Sequence, residues 1–357
     1  MTAVYQVSDL GMSGGTGSAA RAINEAGDII GTLGTGTSAE FSPQANPSFL
    51  WHDSQVTDFG RSYAVFAMNN SGQLAGTKYL PGFGADFSLS KVSPALYENG
   101  KWKSILPQGA VSGMVVGLND RGQAAGQLCL DASQPNKLSA AVWQGNDVRL
   151  LEVLEPYTSA VVKAINATGE AVGYLQEVVS ETRYRTSAVF WGKNGTTLLG
   201  SLPETDQSEA VAINNNGCIL GVTTFGMAEL AKYAQDQMEG EPPSMLPILS
   251  FGGFLWDGGR ATALVGANEN APGIDLAKGY VARAVNDNAQ VVGRATDLTG
   301  NLVAFLWQNN RMVNLNTSIP TESGWTLVDA KGLNNQGQIV GLGKHDGQSY
   351  AFLLTPL

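Results

Sequence analysis

Gly332-Leu-Asn-Asn-Gln-Gly-Gln-Ile-Val-Gly341 is the last of seven near-copies of one ten-residue stretch. The others begin at Ala22, Ala67, Gly117, Ala164, Ala212 and Ala284, and successive starts lie 45, 50, 47, 48, 72 and 48 residues apart. A repeat of that period predicts a solenoid or a propeller. In each copy an apolar segment ends in Ala/Gly-x-Asn, a turn Asn-x-x-Gly follows, and a second apolar segment leaves it. Asn at the first turn position bonds the backbone two residues on, and Gly at the fourth accepts a positive φ. The sixth copy departs from this, with Ala289 in the glycine position.

Working outward from the turn, each unit supplies two more short strands. The third carries Phe49-Leu-Trp51, Ala95-Leu-Tyr97, Ala141-Val-Trp143, Val189-Phe-Trp191, Phe254-Leu-Trp256 or Ala304-Phe-Leu-Trp307. The fourth is leucine-bearing, as in Thr197-Leu-Leu-Gly200. Short strands at even spacing with periodic glycine and aromatic residues predict β-propeller blades. The last unit runs out after its third strand, Tyr350-Ala-Phe-Leu-Leu354, while the chain opens with a segment of fourth-strand character, Tyr5–Leu10. Pairing the two closes the ring and removes the open edges that invite aggregation. The expectation is an all-β fold with one domain over 1–357. It is a seven-bladed β-propeller of four-stranded blades, the last completed by the N-terminal strand.

Composition narrows the function classes. Hydrophobic residues make up 43% and charged residues 15%, the balance of a folded chain. The net charge of -10 repels phosphate backbones, so no nucleic-acid partner is expected. No segment has the length and apolarity of a membrane span, and no membrane partner is expected. The two cysteines, Cys129 and Cys218, fall in non-adjacent repeats, which argues against a disulfide and mildly for a reducing compartment. No leader-like segment precedes the first strand, so a cytoplasmic protein is expected; the alternative is an extracytoplasmic protein whose leader has been removed. Zinc-type Cys/His spacing, a Walker loop, GxGxxG after a strand and a Gly-x-Ser-x-Gly elbow are all missing, so neither a metal nor a cofactor is expected.

The turn motif and the Phe-Leu-Trp strands together resemble the HAF repeat family, named for a His-Ala-Phe strand and typical of bacterial proteins. The resemblance covers essentially the whole chain. It departs at Ala289 and before Ala-Phe, where the family histidine is here Val303 or Tyr350. It implies a propeller-like fold and no particular reaction.

Chain direction sorts the loops. The short, uniform turns between strands one and two and between three and four share one face. The variable loops after strands two and four share the other, where a rigid scaffold displays function. The blade-five loop is the longest, a helical lid-like insertion over 225–250. Met227, Leu230, Ala231, Ala234 and Met238 recur at helical spacing before Pro242-Pro243. It would cover the channel mouth or decorate the rim.

The residue before each Ala/Gly-x-Asn lines the channel: Arg21, Phe66, Val116, Lys163, Val211, Arg283 and Lys331. Two residues earlier, strand alternation returns Glu209 and Asp329 to the same wall. Two expectations compete. In one, Arg21, Lys163, Arg283 and Lys331 hold a polar or anionic small molecule, and Glu209, Asp329 or the loop residue His345 moves a proton. Such chemistry would be metal-free elimination, hydrolysis, isomerisation or cyclisation, with Tyr63, Tyr280 and Trp325 as an apolar wall. In the other, the charges are blade-to-blade ion pairs, Asp329 with Lys331 or Arg21, the aromatics pack blades, and the variable face is a non-enzymatic platform for a protein or a glycan. His52, in a three-to-four turn, is expected to be a plain surface residue.

Overall fold

Each of the seven repeats folds as a four-stranded antiparallel sheet, and the seven sheets form a β-propeller. The computed structural model describes residues 4–10, 17–34, 46–80, 91–180, 183–200, 207–224, 250–264 and 271–357. The innermost strands are Ser18–Ile23, Tyr63–Met68, Ser112–Leu118, Ser159–Ile165, Gln207–Ile213, Tyr280–Val285 and Trp325–Leu333. Each touches the innermost strand of the blades on both sides, so they line a closed ring. The seventh sheet holds Trp325–Leu333, Ile339–His345 and Gln348–Pro356, and Tyr5–Asp9 adds its outer strand, with Tyr5 opposite Pro356 and Asp9 opposite Phe352. The closing strand is therefore where the sequence places it. Of the expected 225–250 insertion, residues 225–249 lie outside the described residues, and Ser250 opens the third strand of blade five, Ser250–Asp257. No helix among the described residues is long and apolar enough to cross a membrane.

The Asn of every Ala/Gly-x-Asn is buried and does two jobs. Its Oδ1 accepts the backbone N–H four residues on in all seven turns, at 2.8–3.0 Å. Its Nδ2 donates to the backbone carbonyl of the same Asn in the next blade: Asn24 to Asn69, then Asn119, Asn166, Asn214, Asn286, Asn334 and back to Asn24. In six blades Nδ2 also donates to the side chain four residues on, which is Asp28, Gln73, Gln123, Glu170, Gln290 or Gln338. Blade five has Cys218 there, a side chain of weak acceptor strength. A second, outer ring runs through the following residue, whose N–H donates to a side-chain oxygen one blade ahead. It is interrupted only between blades three and four, where Ala167 has no oxygen to offer.

Every innermost strand carries a β-bulge one residue before the Ala/Gly-x-Asn, at 21, 66, 116, 163, 211, 283 and 331. A bulge bends its strand and re-aims one side chain. Its cost falls on the glycine that ends the ten-residue motif. A Cβ on Gly173 would lie 1.9 Å from the carbonyl oxygen of Val161, and one on Gly31, 2.2 Å from that of Ala19. Aromatic rings of the third strand, such as Phe305 over Gly293, fill the space the missing side chain leaves. Trp143, Trp191 and Trp307 fasten neighbouring blades from outside, each indole N–H donating to the carbonyl of Ile105, Glu152 or Leu264 in the preceding connection.

His52 is exposed, as expected of a turn residue, but it is partnered. Its Nδ1 lies 2.5 Å from Oδ1 of Asp28, and this hydrogen bond is the main cause of its raised pKa.

The turn glycines adopt φ from +72° to +89°, and Ala289 is held at +56° in the same place. An L-residue in that region is strained by about 1–2 kcal/mol, part of which a glycine's extra unfolded-state entropy offsets. Ala289→Gly is expected to raise the unfolding free energy by about 0.5–1 kcal/mol in urea titrations at unchanged slope.

Candidate functional site

The cations singled out on the channel wall sit on the bulges, and three of them reach toward the blade ahead. Arg21 of blade one places its guanidinium carbon 5.0 Å from the ring centroid of Phe66 in blade two. Lys163 of blade four approaches Oε2 of Glu209 in blade five at 3.5 Å and lies 5.2 Å over the ring of Tyr174. Arg283 of blade six grips Asp329 of blade seven through Nη2–Oδ2 at 2.9 Å and Nε–Oδ1 at 3.4 Å. Lys331 holds the same bulge position in blade seven. Arg21 and Arg283 thus contact different groups, Phe66 and Asp329.

Asp329 is 1% exposed, and Arg294 Nη1 stands 4.0 Å from its second oxygen. The expected ionic tie is present, but its cations come from blade six, not from Lys331 or Arg21. Arg294 was not visible as a partner because it lies on a second strand, opposite Val281. Tyr174 occupies the equivalent position in blade four, opposite Val161. Burial, assisted by the Glu209 charge, pushes its hydroxyl up to about 12. Among the described residues, two seams therefore carry an acid from one blade paired with the bulge cation of the blade before, and Arg294 adds a second cation at Asp329.

The aromatic candidates separate. Tyr280 is 5% exposed; its Oη accepts from the Gly253 N–H at 2.8 Å, and its ring meets Phe305 edge-on at 5.8 Å. It is core between blades five and six, which corrects its expected place in a ligand wall. Position at the start of an inner strand does not say whether a side chain aims at the axis or into the seam. Tyr63 stacks on Trp102 at 4.5 Å and 10°, within a cluster that includes Phe59 and Tyr97. Its ring is thus engaged within blade two, on the fourth-strand Trp102.

Trp325 and His345 do come together. They are cross-strand partners in blade seven, and their rings stack at 4.9 Å and 4°. The indole also lines a cavity of about 490 Å³ on the variable-loop face, between blades six and seven. Thr326 and Lys344 line it from blade seven; Asp297, Asn301 and Ile319 line it from blade six and the connection that follows. Asp297 heads the loop from the second to the third strand, and its Oδ1 accepts from Thr299 N, Thr299 Oγ1 and Asn301 N. Burial acts against the Asp297 charge, but these hydrogen bonds prevail and hold the carboxyl below its usual range. One aromatic plane, one cation, one anion and several amide and hydroxyl groups suit a polar molecule with some apolar surface. Among the described residues no cluster of His, Cys, Asp or Glu could hold a metal ion.

No family model matches the chain, and no curated protein matches it. Solved structures do. The β-propeller domain of the Trilobed protease from Pyrococcus furiosus, described as having an open velcro topology, aligns with TM-score 0.54 at 10% identity, covering 99% of this chain and 94% of that one. An acylaminoacyl peptidase in complex with Z-Gly-Gly-Phe-chloromethyl ketone aligns with TM-score 0.53 at 9% identity, over 98% of this chain and 51% of the other. Uncomplexed Pyrococcus horikoshii acylaminoacyl peptidase gives TM-score 0.53 at 9% identity, over 94% and 51%. The chain spans about half the length of these peptidases. At such identity the likeness is one of fold.

The two ionic seams differ in burial, which decides their worth. Removing one member of a buried pair strands a charge and costs about 3–5 kcal/mol, whereas an exposed pair contributes about 0–1 kcal/mol. In chemical denaturation Arg283→Ala is expected to lose about 3 kcal/mol and Lys163→Ala less than about 1 kcal/mol.

Proposed function

We propose that the protein binds a polar small molecule on its variable-loop face, in the cleft between blades six and seven beside the channel mouth. The observation that carries this is the cavity of about 490 Å³, where the Trp325 indole, Lys344 and the Asp297 loop converge from two blades. The channel wall is less suited. Arg283 and Lys163 are engaged by Asp329 and Glu209, and Arg21 lies over Phe66. A ligand there would have to displace these ties.

Binding, not turnover, is the function proposed. Of the three acid/base candidates, Glu209 and Asp329 are held in seams, and His345 alone stands beside the cleft, stacked on Trp325. Any proton transfer at this site is expected to pass through His345. The resemblance to the HAF repeat family implies no reaction and so adds none to this reading.

The test is thermal unfolding of the whole chain against a panel of monosaccharides, amino acids and dicarboxylates. A ligand at about 100 times its Kd adds about 2.7 kcal/mol of stability, a shift of several degrees. At least one compound is expected to give such a shift, and Trp325→Phe and Lys344→Glu, both near wild type when unliganded, are expected to lose it. No shift across the panel, or a shift that survives both substitutions, would refute the proposal.

A further inference from the structure

The seam between blades three and four holds a second cavity, of about 400 Å³, on the same face. Its construction repeats that of the first. One wall is again the loop from the second to the third strand of the earlier blade, here Ser133 to Lys137. That loop is again headed by an aspartate: Oδ1 of Asp131 accepts from Ser133 N at 2.8 Å and Ser133 Oγ at 2.7 Å, as Asp297 does from Thr299. The opposite wall is again the start of the next inner strand and the end of the next second strand. Ser159 and Gln176, paired in blade four, stand where Thr326 and Lys344 pair in blade seven.

The chemistry repeats as well, from different positions. The aromatic surface is Tyr184, 44% exposed and opposite Val178 on the third strand, instead of an indole on the first. The cation is Lys137, on the loop instead of the second strand, and Asp131 lies close enough for Lys137 to help lower its carboxyl, after the larger effect of the Ser133 and Gln134 hydrogen bonds. Lys344 and Asp297 line the first cleft, and Lys137 lines the second with Asp131 at the head of the same loop, so neither sign dominates. The surrounding protein has a net charge of -10, which disfavours a polyanion. Aromatic planes beside amides and hydroxyls suit rings with apolar C–H faces and hydroxyl edges. Blades three and four lie across the ring from blades six and seven, so one small molecule cannot occupy both clefts, whereas a long chain of repeated units can.

We propose that the two clefts are repeat-related subsites for a neutral glycan chain, which the protein engages at both places at once. This rests on the reading of the blade six–seven cleft as a ligand site and adds both the ligand class and the second site. Linking two binding events raises the apparent affinity by about 10²–10⁴-fold without any new contact.

The experiment is native affinity electrophoresis of the whole chain through gels containing dextran, galactomannan, xyloglucan or mixed-linkage β-glucan, with alginate as the charged control. At least one neutral polymer is expected to retard the protein. Lys344→Glu in one cleft, and Tyr184→Ala or Lys137→Glu in the other, are each expected to weaken retardation by about 10²-fold, and a variant altered in both clefts to abolish it. Retardation by alginate alone, or by no polymer, would overturn the glycan assignment; a Trp325-dependent thermal shift with another compound would still leave the first cleft a binding site. Retardation lost with Lys344→Glu but unchanged with both Tyr184→Ala and Lys137→Glu would overturn the second subsite and leave the first.

Discussion

Seven buried asparagines hand a hydrogen bond around the ring, and the architecture depends on that circuit. Asn24, Asn69, Asn119, Asn166, Asn214, Asn286 and Asn334 are each 2–7% exposed. A carboxamide has two donors and an acceptor with two lone pairs. Here Oδ1 folds the local turn, one N–H reaches the next blade's carbonyl, and in six blades the other N–H meets a side chain four residues on. Local turn and global closure are satisfied by one side chain. Aspartate lacks the donors, and serine lacks the reach to serve both ends.

The circuit also fixes what can stand on the channel wall. Drawing the inner strands together at their Asn ends is accompanied by a bulge in each, and the bulged residue faces the channel rim. A long cation at that position naturally meets the blade ahead, so Arg283 finds Asp329 and Lys163 finds Glu209. The same bulge forces the glycine at the end of the motif, because the carbonyl two residues before it occupies the place of a Cβ. Much of the repeated pattern is thus the signature of one mechanical solution. The clefts proposed for binding lie where neighbouring repeats differ, in the loops headed by Asp131 and Asp297.

The blade count, the closing strand and the two unlike faces were legible in the sequence because each is written in local spacing. The role of the asparagines as donors was not, since each partner lies 45, 47, 48, 50, 72 or 310 residues away. The signal was nonetheless present in the aligned copies: an acceptor side chain four residues after Asn in six of them, and Asn, Asp or Glu immediately after it in all but the Ala167 copy. The channel cations were legible as a set, but their partners were not, because pairing depends on the offset between adjacent blades. Tyr280 was misplaced for a related reason: alternation gives two sides of a strand without naming which side is a seam. The pairing of Trp325 with His345 follows from hairpin register once the turn at Asn334 is fixed.

The most direct measurement is the unfolding free energy of Asn166→Ala by urea titration. The substitution removes the acceptor for Thr168 and Glu170 and leaves the buried carbonyl of Asn214 without its donor from blade four. Unsatisfied buried groups cost about 1–3 kcal/mol each, so a loss of at least about 3 kcal/mol is predicted, with unfolding still a single transition. A loss below about 0.5 kcal/mol, the scale of an ordinary surface change, would contradict the claim that the asparagine circuit holds the ring closed.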